Sequence, residues 1–457
     1  MSTISATVHS ALSALNAYSV AISVTNTNIA NVETSGYSRQ TAVIKEKTSA
    51  NGIGTGVDVS AIERAYDSFL TLQLRSANQE LGKSSVEVKV LTSIEQVFAD
   101  TEDSGLSVAM SEFWNAWQDV VNDPSGSTTR SVLASAADTL ADTFNGMSSE
   151  LSDIAEGIED SLIETVEKIN ELIRQIADEN QNLVQLEASG QDANTCKDNL
   201  DSLVLELSSL VDINTSSNDA GQISIQLSKG KPLVEGNIAW SLSTEKNWTT
   251  GLMDVTWVDS AGDSTVVTDT VSSGELGGYL EVREELASYQ DQLDELAVAI
   301  MAQINALHTS GYDVNGDEGV SFFTGPGAGD MAVNSEIISD SGKIAAASTA
   351  DGGSGDGSNA VAIAELQNKI SLNSETSTFS DYYDALVSKI GASVQSTESG
   401  YESLSNAQEY YTNQCLSVSA VSLDEELAKL TLYQNAYDAA AKMMTVLDEM
   451  MESLIAM

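Results

Sequence analysis

Only 20 of the 457 residues are lysine or arginine, against 68 aspartates and glutamates. The net charge of −48 repels phosphate backbones and anionic membrane surfaces, which excludes nucleic acid as a partner. Cysteine is almost missing: Cys196 and Cys415 lie far apart with no CxxC spacing, so neither a disulfide framework nor a zinc site is supported. With His9 and His308 as the only histidines, no Ser/His/Asp or Cys/His arrangement can be assembled; the chain does not read as an enzyme, and no cofactor is expected. No run of 18 apolar residues exists, which removes a transmembrane helix and any expectation of membrane insertion. The opening MSTISATVHSALSALNAYSVAIS lacks both a cationic n-region and a continuous apolar h-region. A cleavable signal peptide is therefore not expected, and the protein is either cytoplasmic or exported by a route that reads no such peptide.

What is present is Ala, Leu, Ile and Val: the composition is 42% hydrophobic and only 5% aromatic, which favours a mainly helical globular protein. The length suggests several domains. In the first thirty residues, Ile4, Val8, Ala11, Leu15, Tyr18, Ile22, Thr25 and Ile29 recur at alternating spacings of 4 and 3, a heptad seam. Leu430, Tyr433, Tyr437, Ala440, Met444, Leu447, Met451 and Leu454 recur in the same way at the other end. A single helix of this length is marginal in water, so both ends need partners. No Asp, Glu, Lys or Arg occurs from Met1 to Val32, although an ordinary surface helix carries charge on its outer face. That uncharged Ser/Thr/Asn face suggests packing on several sides, as in the interior of a polymer.

Between the two seams, residues 61–120 and 128–210 read as long helices broken at NDPSG, and a change to period two from Val211 to about Val271 reads as hairpins of a small β domain. Helix returns at GGYLEVREEL, a Gly/Asp/Ser-rich stretch follows at 311–358, and helices resume from NAVAIAELQNKI to the end. The expected fold is mainly α with an inserted β domain, nested, its N- and C-terminal helices paired in a coiled coil. The expected domains are 1–45, an N-terminal coiled-coil segment; 46–212, the first part of a helical domain; 213–275, the β insertion; 276–418, the second helical part with an irregular β/loop region; and 419–457, the C-terminal coiled-coil segment.

Few motifs promise chemistry. DVNGDEG places Asp313, Asn315 and Asp317 at positions 1, 3 and 5 of a calcium loop, but Glu318 stands where that loop needs Gly and Thr324 where it needs Glu. An Asx-rich turn is the better reading. Trp114 and Trp117, spaced i, i+3, read as core residues, and the NGIGTG and DGGSGDGS segments as loops.

The segment ALSALNAYSVAISVTNTNIANVETSGYSRQ resembles the N-terminal signature of bacterial flagellar rod, hook and hook-associated proteins. SGYSRQ is most similar to the first hook-associated family, the hook-filament junction proteins, with Ser35 where that family usually has Pro. VSLDEELAKLTLYQNAYDAAAKMMTVLDEMMESLIAM resembles the family's C-terminal signature, an acidic cap before a coiled-coil helix, and IMAQINALHTSGYDVNGDEGVSFF resembles its middle. The resemblance implies a structural subunit of the flagellum, secreted by type III export to the cell exterior, joining hook to filament and needed for filament assembly. It implies contacts with the hook protein and with a second junction hook-associated protein, an export chaperone on the C-terminal helix, and self-association in a ring or helical layer. The assembly interface would comprise Val8, Leu12, Leu15, Ile22, Asn28, Asn31, Gly36, Tyr37, Arg39, Leu423, Leu427, Leu430, Tyr433, Tyr437, Met444, Leu447, Met451 and Leu454. The readings set against it are the hook protein or flagellin, and a calcium-dependent adhesin.

Overall fold

The computed structural model describes residues 2–48, 54–101, 104–218, 221–370, 372 and 376–455; the side chains of 2–5, 54, 454 and 455, including Leu454, lie outside what is described. In chain order the elements are α1 (Ser2–Ala30), β1 (Gln40–Thr48), β2 (Gly54–Arg64), α2 (Ser68–Val97), α3 (Leu106–Asn122), α4 (Ser127–Ser189) and α5 (Asn194–Leu210). There follow the short strands β3 (Ile213–Ser217), β4 (Ile223–Leu227), β5 (Pro232–Glu235), β6 (Ile238–Ala239), β7 (Ser241–Lys246), β8 (Met253–Val258) and β9 (Ser264–Val266). The chain closes with α6 (Gly274–His308), β10 (Phe323–Thr324), β11 (Ala332–Val333), α7 (Ser335–Ser339), α8 (Ser358–Ala364), α9 (Phe379–Ser419) and α10 (Leu423–Ile455). Two compact units result, one built from 1–82, 165–274 and 403–457 and the other from 83–164 and 275–402.

In the second unit the aromatic residues make the core. Phe113, Trp114 and Trp117 of α3 are fully buried, Trp114 stacks on Phe379 at 6.0 Å and Trp117 meets Phe322 at 5.5 Å. The i, i+3 pair is thus a core stripe. His308, at the end of α6, is fully buried; its Nε2 accepts the Ala345 N–H and its Nδ1 lies against the Val320 carbonyl. The Arg130 guanidinium donates to the carbonyls of Pro124, Gly342 and Ile344. These two bases tie the irregular stretch after α6 to the helices. In the DVNGDEG turn, Asp313 Oδ1 accepts the N–H groups of Asn315 and Asp317, the geometry of an Asx turn.

In the first unit, β3 to β6 form one antiparallel sheet and β7 to β9 another. Alternation explains them: Ile225 and Leu227 of β4 are buried while Gln226 between them is exposed. Helix was expected from residue 61, and there the expectation fails. Gln40–Thr48 and Gly54–Arg64 pair as the long β1–β2 hairpin, α2 begins only at Ser68 and ends at Val97, and α3 starts anew at Leu106. QTAVIKEKT and GTGVDVSAIER do alternate, but β-branched residues interleaved with charge are equally compatible with one face of a helix. The hairpin is decided by what it packs on, which is α1.

Candidate functional site

The terminal helices α1 and α10 pair in antiparallel fashion: Asn28 near the end of α1 meets Glu426 near the start of α10, and Tyr18 lies 6.4 Å from Tyr433. The buried line of α1 is Ala17, Ala21, Val24 and Asn28, together with Ala11 and Thr25. This is largely one residue off the expected seam, whose Val8, Leu15, Tyr18, Ile22 and Ile29 are only half-buried and whose neighbour Leu12 is exposed. The reason is the hairpin. It covers α1 on a second side, so the most buried positions are the small ones between two neighbours. A Cβ at Gly56 of β2 would stand 2.0 Å from Ser13 Oγ and 3.0 Å from Ser10 Cα, and Ser13 Oγ accepts the Val57 N–H at 3.2 Å. A charged side chain on that face would have no water to point into.

On α10, Ala440 and Leu447 are buried, whereas Leu430, Tyr433 and Met444 are half-buried. Tyr437, Met451, Leu423 and Leu427 remain exposed. A second apolar line, Leu432, Met443, Val446 and Met450, faces outward as well.

A polar clasp closes the base of the pair. Asn28, fully buried, donates from Nδ2 to the Gln40 carbonyl (2.8 Å) and to Glu426 Oε2 (2.9 Å), and its Oδ1 accepts from Gln40 N (2.9 Å) and the Tyr37 hydroxyl (2.8 Å). One side chain therefore bridges α1, the reversal loop, β1 and α10. Glu426, 1% exposed, also takes Lys429 Nζ at 2.7 Å. Burial, with Asp198 and Glu426 nearby, pushes the Tyr37 phenol up to about 12. Asn31 caps the end of α1, donating to the Thr27 carbonyl and accepting from Thr34 Oγ1. Gly36 takes φ +78, which allows the reversal that Thr34 and Ser35 lead into. Beyond it, Ser38 N donates to Asp198, and Arg39 N–H donates to the Ser419 carbonyl. The Arg39 guanidinium reaches the Val418 carbonyl and Glu425.

The structure thus brings together Asn28, Tyr37 and Arg39 of the sequence-derived set and leaves Leu12, Leu423, Leu427, Tyr437 and Met451 facing solvent. Sequence reasoning missed Gln40, Asp198 and Glu426. LDEEL reads as an acidic helix start, and Asp424 and Glu425 are exposed as such. That Glu426 turns inward is signalled only by its position four residues before Leu430 and seven before Tyr433, on the same stripe.

Residues 91–323 match the family described as flagellar hook-associated protein FlgK helical domain, and residues 412–457 match the flagellar basal body rod FlgEFG protein C-terminal family. The flagellar hook-associated protein 1 of Bacillus subtilis is 31% identical over 97% of this chain and 96% of its own length. The chain belongs to the flagellar hook-associated protein 1 family. The Escherichia coli member is 27% identical, with 99% of each chain covered. The flagellar hook junction protein FlgK from Burkholderia pseudomallei shares the fold, with a TM-score of 0.67 at 17% identity over 76% of this chain and all of that one. The expected mainly helical architecture with inserted β-sheets and paired terminal helices is therefore that of this hook-associated family. The family match spans α3, α4 and the β insertion, and so separates this chain from the rod and hook proteins with which its C-terminal segment is shared. The adhesin reading is not favoured by these matches. Among the described residues, no helix is long and apolar enough to cross a membrane.

Proposed function

We propose that this chain is a non-enzymatic structural subunit of the junction between flagellar hook and filament, exported from the cell and needed for the filament to grow. The single observation carrying this reading is the clasped α1–α10 pair, which leaves Leu432, Met443, Val446 and Met450 outward in a helix that water alone would not favour. The family name supports the same role. Neighbouring copies cover that line in a ring or helical layer, the hook protein lies on one side and a second hook-associated protein on the other, and an export chaperone shields α10 before assembly. The five sequence segments are offered as the domain organisation, with the hairpin 40–64 moved as a whole to the first segment.

In a strain lacking this chain, hooks without filaments and flagellin lost to the medium are expected. Complementation with a triple variant, Met443→Glu, Val446→Glu and Met450→Glu, should restore secretion of the subunit but not filaments. Normal filament number in that strain would overturn the reading. Truncation after Ala420 should abolish chaperone binding, measured by pull-down, and deletion of residues 2–30 should abolish secretion.

A further inference from the structure

The β insertion begins at Val211–Ile213, just after α5, and ends at Val271–Gly274. These entry and exit segments touch: Gly274 takes φ +75, and a Cβ there would stand 2.4 Å from Val211 N. At this root lies Asp212, 3% exposed. Its Oδ2 accepts the Ser228 hydroxyl, from the turn between β4 and β5, at 2.6 Å, and the Ser272 hydroxyl and N–H, from the exit segment, at 3.0 and 3.3 Å. One carboxylate oxygen therefore ties three pieces of chain. Oδ1 is buried as well and has no hydrogen-bond partner among the described residues.

A buried carboxylate ordinarily has a cation beside it. Of the other buried ones, Asp198 pairs with Arg64, Glu426 with Lys429, and Asp313 lies in the field of Arg130. Around Asp212 the charged groups are engaged elsewhere. Lys229 Nζ donates to the Asp269 carbonyl at 2.8 Å, and Lys231 lies over the Trp257 ring at 4.4 Å. Glu80 of α2 takes the Ser273 hydroxyl at 2.7 Å, and Glu206 of α5 pairs with Lys168 at 3.2 Å. Asp269 and Glu275, on either side of the exit segment, are acidic and cannot neutralise it. Burial raises the Asp212 pKa above its ordinary value, against the opposing hydrogen bonds from Ser228 and Ser272. A proton on Oδ1 removes the uncompensated charge and leaves Oδ2 with its three donors.

We propose that Asp212 is a proton-operated latch at the root of the β insertion. With Oδ1 protonated, the entry segment, the Ser228 turn and the exit segment are held together; with the carboxylate charged, the root opens more often to admit water, and the sheets of residues 213–271 loosen while the terminal helices stay paired. The sign follows from linkage: the closed root holds the proton more tightly than the open one, so falling pH closes the latch and rising pH releases it.

The test is amide hydrogen exchange of the full chain, read by mass spectrometry on peptides from 213–271 and corrected for the intrinsic pH dependence of exchange. Protection in the parent should be about tenfold or more greater at about pH 5 than at about pH 8. Asp212→Asn, which fixes the neutral state, should be as protected at the higher pH as the parent is at the lower one, and should change little between them. Both proteins carry His308, so its titration cancels in the comparison. Ser272→Ala, at an exposed position, removes a donor that favours the charged form and should move the transition to higher pH. Protection in the parent that does not depend on pH would overturn the proposal, since the carboxylate would then keep its charge with water on Oδ1. So would an Asp212→Asn variant that follows the parent's pH dependence, or a transition that Ser272→Ala leaves in place or lowers. Circular dichroism checks folding, and if the asparagine variant does not fold, the parent and Ser272→Ala decide the matter alone. None of these readouts involves filament growth, so the proposal can fail while the junction reading stands.

Discussion

Asn28 spends all four of its hydrogen-bonding positions inside the protein, and its removal would strand four groups at once. Asn28→Ala should cost about 3 kcal/mol or more, because Glu426 stays buried with Lys429 as its remaining partner. Loss of hydrogen-exchange protection at the facing ends of α1 and α10, with the second unit unchanged, is the expected readout. His308 offers a second residue-scale test. Burial, and to a lesser degree the nearby Arg130, lowers its pKa from 6.5 to about 4, against the opposing effect of the Val320 carbonyl. The unfolded chain takes up that proton near pH 6.5 and the folded chain only near 4, so stability is full above pH 6.5 and falls as pH drops toward 4. The loss amounts to on the order of 3 kcal/mol. Denaturant midpoints of the parent and of His308→Gln across that window should converge as the pH falls, and parallel curves would show that the imidazole is not the group titrating.

At the scale of elements, the contrast between two faces of α10 is testable. Leu447 is 8% exposed within the pair and Leu432 64% exposed outside it. Leu447→Asp buries a carboxylate in an apolar seam and should cost about 3 to 5 kcal/mol, whereas Leu432→Asp should leave the isolated chain within about 0.5 kcal/mol. Limited proteolysis of the two purified variants would check this, with early loss of both terminal helices expected only in the first. The hairpin makes a parallel case. Gly56 has φ +122 and no room for a Cβ against Ser13, so Gly56→Val should release β2 from α1 by steric and conformational cost together. The Arg39–Glu425 ion pair, by contrast, has its carboxylate well exposed to solvent and contributes little.

For the whole molecule the governing quantity is charge. At −48, most carboxylates lie unpaired in solvent and repel one another, while α1 carries no charge at all. Thermal midpoints of the full chain should rise by several degrees between about 0.05 and 1 M sodium chloride, as the screening length shortens from well over 10 Å to about 3 Å. Sucrose at matched osmolality separates screening from solvent exclusion, and an equal rise there would remove the electrostatic account.

The helical class, the pairing of the terminal helices, the β region after Val211 and the family were all legible in the residues, because each rests on a local period or a contiguous motif. The core role of Trp114 and Trp117 was legible for the same reason. The hairpin at 40–64 was not, since its strands alternate only weakly and owe their state to α1 beneath them. The clasp was not either: Asn28 and Glu426 are far apart in sequence and meet only because the termini pair. Sequence alone determined that α1 would be uncharged and would need partners. Only the tertiary structure decided that the hairpin is one of those partners, moving the buried line from Tyr18 and Ile22 to Ala17, Ala21 and Val24, because a helix covered on two sides buries most deeply the small residues that let both neighbours approach.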